Sequence, residues 1–119
     1  MFKDTLASIV NGAEGGIAGL LMDFEGIPVE VYAKQDAGFD VEVVGAEVSV
    51  LVKSIQRATE MLDAGATQEV AFHSEKLLTL VRVLNENYFL AIALSPDGNY
   101  GKARYLVRTA APRMLQELV

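Results

Sequence analysis

The longest regular pattern in the sequence lies between residues 41 and about 63, where apolar residues recur at steps of four and three. The members of this series are Val44, Val48, Leu51, Ile55, Ala58 and Leu62. Such spacing draws a single apolar stripe along a helix of 3.6 residues per turn. It predicts a long helix that begins after Asp40, a suitable N-cap residue, and that packs this stripe against the core.

A second, partly apolar series follows the same predicted helix, about 110° round from the first. Its members are Val43, Ala46, Val50, Ser54, Arg57 and Met61. The remaining side is polar and carries Glu42, Ser49, Lys53, Gln56 and Glu60. A helix with a core stripe and a partly apolar flank is usually covered on both. The flank therefore predicts a further contact, either inside the domain or with another copy of the chain.

Shorter patterns predict the remaining elements. Apolar residues at helical spacing predict a first helix that ends near Asn11, and Gly65 is expected to end the long helix. Alternating or continuous apolar runs predict five strands, at residues 17–24, 27–32, 67–73, 77–84 and 88–94. A last helix follows from Tyr100, and Pro112 within it predicts a kink or a break. The predicted order is α-β-β-α-β-β-β-α, in one α+β domain over residues 1–119.

The segment Asp23-Phe24-Glu25-Gly26 joins the first two predicted strands and places two acids beside a glycine. A calcium loop needs acidic or amide residues at several alternate positions, and this segment has too few. Gly26 instead suits the positive φ of a tight turn, and Pro28 suits the start of an edge strand. We expect a hairpin turn without a metal, in which the carboxylates of Asp23 and Glu25 are both dispensable.

Composition narrows the classes of function. The chain has a formal net charge of −6 and no cysteine, which excludes disulfides and thiolate metal sites. Nucleic-acid binding needs a basic face, so an acidic chain is a poor candidate, and protein partners are expected instead. The first residues do not resemble an export signal, and no apolar run is long enough to cross a membrane. We expect a cytoplasmic protein without a membrane contact.

No motif predicts catalysis or a cofactor. His73, the single histidine, lies on a predicted strand near acids, and adjacent Ser74 would point to the opposite face. The glycines at residues 12–16 follow a helix and precede a strand, the reverse of a phosphate-binding loop. The basic residues Lys102, Arg104 and Arg108 are expected on a solvated helix face. The sequence therefore predicts no enzyme, no metal and no cofactor.

Three segments together resemble the Roadblock family of dynein light chains and small-GTPase regulators, over nearly the whole chain. They are the hairpin Asp23-x-x-Gly26-x-Pro28-Val29, the paired strands at residues 78–84 and 88–94, and the helix entry Asn99-x-Gly101-x-Ala103-Arg104. The resemblance implies a five-stranded antiparallel sheet, with the long helix on one face and the terminal helices on the other. It also implies dimers, with the chain itself or with a paralogous Roadblock chain, in which the third strand pairs with its copy and the long helices pack together.

Bacterial members of the family, such as MglB-type proteins, look like partners of Ras-like small GTPases, and the resemblance implies such a partner here. The expected dimer interface comprises Val43, Ala46, Val50, Met61, Glu69, Val70, Ala71, Phe72 and His73. The residues expected to face the GTPase are Lys53, Gln56, Arg57 and Glu60. The alternative is a small-ligand sensor, because profilin-like and PAS-like domains share this arrangement of strands and helices. A sensor needs a cavity with convergent polar groups, whereas the predicted strands are filled with apolar residues.

Overall fold

The computed structural model describes residues 1–118, in which three helices and five strands follow the predicted order. The helices are α1 (Phe2–Gly12), α2 (Val41–Met61) and α3 (Tyr100–Leu118). The strands are β1 (Gly16–Asp23), β2 (Pro28–Ala33), β3 (Glu69–His73), β4 (Leu78–Val83) and β5 (Tyr88–Leu94). All eight predicted elements are confirmed, with ends that shift by one or two residues.

The five strands form one antiparallel sheet in the order β2-β1-β5-β4-β3. Three hairpins, β1–β2, β3–β4 and β4–β5, connect strands that are neighbours in sequence. Strand β1 also pairs with β5, which is distant in sequence, and this pairing joins the two groups of strands into one sheet. Strands β2 and β3 are therefore the two edges. The predicted α+β architecture is confirmed.

The sheet separates two apolar layers because successive side chains of a strand point to opposite faces. On one face, α1 and α3 pack over residues such as Leu21, Leu80 and Ile92. On the other face, α2 packs over Leu20, Met22 and other residues of the second cluster. This confirms the predicted placement of the long helix opposite the terminal helices.

The orientation of α2 about its own axis differs from the prediction. Its fully buried residues are Gly45, Val48, Ser49 and Val52. Of the predicted core stripe, only Val48 is buried; Ile55 is half-buried, and Val44, Leu51, Ala58 and Leu62 are exposed. The buried side lies about 90° round from the predicted one at ~100° per residue.

Close contact with β1 explains this orientation. A Cβ atom on Gly45 would lie 2.2 Å from Leu20 Cδ2, so the missing side chain lets the helix approach the sheet. Ser49, predicted on the polar side, is buried instead, and its Oγ donates a hydrogen bond to the Ala46 carbonyl at 2.7 Å. A hydroxyl satisfied in this way is tolerated next to an apolar layer.

The start of α2 confirms one prediction, and the end of α2 corrects another. Asp40 caps the first turn by accepting hydrogen bonds from the backbone N–H groups of Glu42 and Val43. At the other end, the residue that directly follows the cap Leu62 in the left-handed conformation is Asp63, at φ 54°; Gly65, the predicted end, is also left-handed at φ 85° but lies two residues farther on. The Ala64 N–H group donates to the Thr59 carbonyl at 2.9 Å, as expected when the residue before it is left-handed.

Helix α3 continues through Pro112 without interruption, so the expected break is wrong. Pro112 lies on the exposed side of the helix. The carbonyl of Arg108, which loses its helical donor there, also belongs to an exposed residue, so water can satisfy it.

Candidate interaction surface

The side of α2 that points away from the sheet carries large exposed apolar residues around the exposed acid Glu47, and we call it the outer face of α2. It carries six exposed large apolar residues: Val43, Val44, Val50, Leu51, Met61 and Leu62. Val43, Val50 and Met61 belong to the predicted dimer interface and are 62%, 57% and 88% exposed. Ala46, from the same prediction, is half-buried beside the β1–β2 turn. Large contiguous apolar patches are uncommon on monomeric proteins and typically mark an interaction site.

One polar flank borders the outer face of α2 and contains the four residues predicted to face a GTPase. Lys53, Arg57 and Glu60 are exposed, whereas Gln56 is half-buried. The Arg57 Nη2 atom donates a hydrogen bond to Ser54 Oγ at 3.0 Å, and Arg57 forms no ion pair with any residue from 1 to 118. Its guanidinium is therefore held along the helix, without a charge partner among the described residues.

An open groove of about 490 Å³ lies next to this flank, between the end of α2 and the β4–β5 turn. Its polar lining residues include Gln56, Glu60, Arg82, Asn85 and Glu86. The hydroxyl groups of Thr59 and Thr67, 2.8 Å apart, connect the last turn of α2 to the segment before β3 and so hold one wall of the groove.

A small apolar cavity lies under the first half of α2, where a ligand of a sensor domain could be expected. Its volume is about 30 Å³, and it is lined by residues such as Val48 and Ala91. This is about the volume of one water molecule in the liquid, far below the ~300–1,000 Å³ typical of ligand pockets. The sensor alternative therefore gains no support from this cavity.

The β3 edge is the second part of the candidate surface. Val70 and Phe72 face the α2 layer and are half-buried, while Ala71 and His73 are exposed. The opposite edge, β2, begins with Pro28, and the Glu30 carboxylate accepts a hydrogen bond from the Val31 N–H group at 3.0 Å. Proline and a charged side chain are usual protections of a sheet edge. The residues of β3 include neither a proline nor a carboxylate bonded to its own backbone.

Two side chains of β3 contact α3 on the other face of the sheet. Glu69 Oε2 accepts a hydrogen bond from Arg104 Nε at 2.7 Å, a pair that the sequence analysis missed because 35 residues separate the partners. The second oxygen, Oε1, is buried and has no hydrogen-bond partner among the described residues. The His73 ring lies edge-on to the Tyr100 ring, with centroids 5.8 Å apart. Arg104, which was expected on a solvated helix face, therefore also forms an ion pair that connects α3 to β3.

The segment Asp23-Phe24-Glu25-Gly26 forms the β1–β2 turn, as predicted. Asp23 Oδ1 accepts hydrogen bonds from the N–H groups of Glu25 and Ile27, both at 2.9 Å, and Gly26 has φ +88°. This geometry does not support the expectation that the Asp23 carboxylate is dispensable, because its Oδ1 atom accepts two backbone hydrogen bonds within the turn.

Within residues 1–118, no three His, Asp or Glu side chains lie together as a set of metal ligands. The helices of the same residues include none that is both long and apolar enough to cross a membrane.

Among comparisons with known proteins, only the comparison with solved structures finds similar chains. No protein-family model matches the chain, and no curated protein is significantly similar to it in sequence. The crystal structure of MglC from Myxococcus xanthus is 39% identical, and the match covers 98% of each chain with a TM-score of 0.70.

Two further solved structures are similar in fold at lower identity. MglB with a tetrameric arrangement is 17% identical, and the match covers 95% of this chain and 84% of MglB with a TM-score of 0.85. A Roadblock/LC7 domain from Streptomyces avermitilis is 15% identical, and the match covers 95% of this chain and 97% of that domain with a TM-score of 0.78.

Proposed function

This chain belongs to the Roadblock family, and from that premise we propose that it is a single-domain, cytoplasmic, non-catalytic regulator or scaffold that dimerises and binds a Ras-like small GTPase. The observation that carries this proposal is the outer face of α2, whose large apolar residues are exposed in the isolated chain. The similar MglB structure, with its tetrameric arrangement, supports self-association within this fold.

Dimerisation accounts for the apolar exposure. Burying apolar surface releases about 25 cal/mol per Å², so residues such as Val50 and Met61 favour a partner of similar character. A second copy offers the same residues, and a two-fold axis lets each copy bury the patch of the other. The unprotected β3 edge gives the same two copies a place to pair their sheets.

The GTPase would bind beside this dimer contact, on the polar flank of α2. Lys53, Arg57 and Glu60 offer charges of both signs, and the groove next to Gln56 and Glu60 offers a concave surface. Two-fold symmetry brings two such flanks to one side of the dimer, and a single GTPase placed across the axis would give two chains per GTPase.

The hydrolytic chemistry would belong to the GTPase. The dimer would act by holding the switch loops of the GTPase in an ordered state, which requires higher affinity for one nucleotide state than for the other. An arginine inserted into the active site of the GTPase is a sharper form of the same function, and Arg57 is the exposed arginine of this flank.

Titration calorimetry against each Ras-like GTPase of the source organism, loaded with GDP or with a non-hydrolysable GTP analogue, tests the proposal. We expect one GTPase to bind in a nucleotide-dependent way, with one GTPase per two chains. Lys53→Ala with Glu60→Ala should weaken this binding at least several-fold, whereas Lys102→Ala on α3, across the sheet, should not. Absent or equal binding in both nucleotide states for every GTPase would overturn the regulatory function.

A separate measurement distinguishes the two mechanisms. If the Arg57→Ala dimer still stimulates GTP hydrolysis fully, the inserted arginine is excluded and the ordering of the switch loops remains. If stimulation falls by a factor of about 10³ or more while binding persists, Arg57 acts as the inserted arginine.

A further inference from the structure

Three arginines lie around Glu69 on the α3 side of the sheet. Arg104 donates from its Nε atom to Glu69 Oε2 at 2.7 Å. Arg82 is the residue of β4 directly opposite Glu69, and its side chain points to the same face as that of Leu80, which lies in the cluster under α1 and α3. Arg108 follows Arg104 by one turn of α3, so the two side chains lie on the same side of the helix. We call Arg82, Arg104 and Arg108 the arginine cluster.

The arginine cluster carries more charge than its neighbour neutralises. Three arginines and the single carboxylate of Glu69 leave a local charge of +2, in a chain with a formal net charge of −6. Arg82 and Arg108 form no ion pair with any residue from 1 to 118. Arg82 is also half-buried, and because an arginine cannot lose its charge, partial burial without an acceptor is unfavourable. The cluster therefore favours an anion from outside the chain.

The cluster is both accessible and partly held in place. Arg104 uses Nε alone for Glu69, since the second oxygen of that carboxylate has no hydrogen-bond partner, and both Nη atoms are left to other acceptors. The Arg104 side chain is 46% exposed, and Arg108 is exposed as well. Arg82 lines the open groove of about 490 Å³ together with Glu86, with which it forms no ion pair. An arginine that one carboxylate already holds loses less conformational entropy when it binds a second one.

The spacing of the arginines fits the carboxylates of a helix better than a single phosphate. Arg104 and Arg108 are one helical turn apart, about 5–6 Å between Cβ atoms, which is also the spacing of acids three or four residues apart on a partner helix. Phosphate sites commonly use the backbone N–H groups of a helix start, whereas both arginines lie a turn or more inside α3, which begins at Tyr100. Exposed Tyr105, between them in sequence, is of a type that is common with arginine at the centres of protein interfaces.

A second copy of this chain does not offer such an acidic helix. The acids of its helices are Asp4 in α1, Glu42, Glu47 and Glu60 in α2, and Glu117 in α3. No two of these acids are three or four residues apart in one helix. A different acidic partner would be repelled by most of this acidic chain and attracted at the arginine cluster, which favours that site over the others.

We propose that the arginine cluster binds an acidic helix of a partner protein. Carboxylates on successive turns of that helix contact Arg104 and Arg108, and a neighbouring carboxylate contacts Arg82. The site lies across the sheet from the outer face of α2, so it goes beyond the GTPase contact proposed above and leaves that contact free. The chain would thereby connect two partners, an acidic protein on the α3 side and a GTPase on the α2 side.

Titration of the full chain, followed by nuclear magnetic resonance, tests the site. The probe is a synthetic helical peptide of alanine and glutamate with a glutamate at every fourth position, and the control peptide has glutamine at the same positions. We expect the glutamate peptide to shift the Nε–H signals of Arg82 and Arg104 and the amide signals of residues 104–108. The amide signals of Val50 and Leu51, on the outer face of α2, should stay in place. Added salt should weaken the binding, because the contacts join charges.

Two variants and a matched control measure what the arginines contribute. Arg82→Gln and Arg108→Gln should each raise the peptide Kd about 2- to 5-fold, as expected for the loss of one exposed ion pair, and the effects should multiply in the double variant. Arg113→Gln removes the same charge from an exposed position of α3, about 140° round from Arg108, and should leave the Kd unchanged. Circular dichroism should first show that all the variants fold.

Four outcomes would overturn the acidic helix as the partner. They are the absence of shifts at the arginine cluster, equal binding of the glutamine peptide, an equal loss of affinity in Arg113→Gln, and binding of inorganic phosphate or of phosphatidylglycerol vesicles at the cluster without binding of the peptide. None of these outcomes bears on the GTPase contact, which the Lys53→Ala and Glu60→Ala variant tests separately.

Discussion

A single side chain accounts for the conformation of the β1–β2 turn. The sequence places acids at Asp23 and Glu25 and leaves their roles equivalent. The structure separates them, because Asp23 Oδ1 accepts two backbone N–H bonds while Glu25 is exposed and contributes its own N–H group. The carboxylate of Asp23 thus stabilises the turn that Gly26, at φ +88°, makes accessible.

At this scale we predict that Asp23→Ala lowers the free energy of unfolding by about 1–3 kcal/mol, because two N–H groups lose a charged acceptor. Asp23→Asn should cost less, because the amide carbonyl can replace Oδ1, the single oxygen that accepts both bonds. Glu25→Ala is the control and should have almost no effect. Urea denaturation measures all three variants, and equal losses for the alanine and asparagine variants would contradict the role of the oxygen.

At the scale of the element, adjacent residues of α2 lie in opposite environments, one buried against the sheet and the other exposed. Val52 is fully buried against the sheet, whereas Leu51 is 47% exposed on the outer face. Gly45 and Ser49 share the buried side with Val52, although neither is strongly apolar. The helix is therefore held by a narrow line of small residues, and its larger apolar side chains are left for another contact.

We predict that Val52→Ala lowers the free energy of unfolding by about 2 kcal/mol through lost burial and the cavity that it leaves. This loss should be the same at every protein concentration. Leu51→Ala should cost less in the isolated chain, and its effect on the melting temperature should grow at concentrations at which the dimer forms. A larger loss for Leu51→Ala at micromolar concentration, with no dependence on concentration, would show that Leu51 belongs to the core.

At the scale of the whole molecule, the two sides of the sheet differ in how much apolar surface they expose. The side with α2 carries the exposed apolar residues and the inward-facing Val70 and Phe72 of the β3 edge. The side with α1 and α3 has its own closed apolar cluster, and exposed residues of α3 include Lys102 and Tyr105. Self-association is therefore expected on the first side.

We predict that Val50→Glu makes the chain monomeric, because each copy would place a carboxylate in an apolar contact where it lacks a partner. Tyr105→Glu is the matched control, since Tyr105 is exposed to a similar degree, 62%, on the opposite side. Light scattering at tens of micromolar should give a monomer for the first variant and a dimer for the second. A dimer for Val50→Glu would show that the outer face of α2 is not the contact.

The order of elements, their approximate ends and the hairpin turns follow from the sequence by itself. Strand β5 is predicted residue for residue, and Asp40 is identified correctly as the cap of α2. These features depend on neighbours within a few residues, since caps, turns and alternation are local properties. The exposed apolar flank of α2, with Val43, Val50 and Met61, is also visible in the pattern, because those residues repeat at helical spacing.

The side of α2 that meets the sheet was decided by the tertiary structure. Hydrophobic periodicity favoured the larger side chains, such as Leu51, but the sheet accepts the helix where Gly45 allows close approach to Leu20. The pair of Glu69 with Arg104 likewise joins residues that only the packing of α3 beside β3 brings together. Both depend on the shapes and distances of side chains from separate elements, which the spacing within one element does not contain.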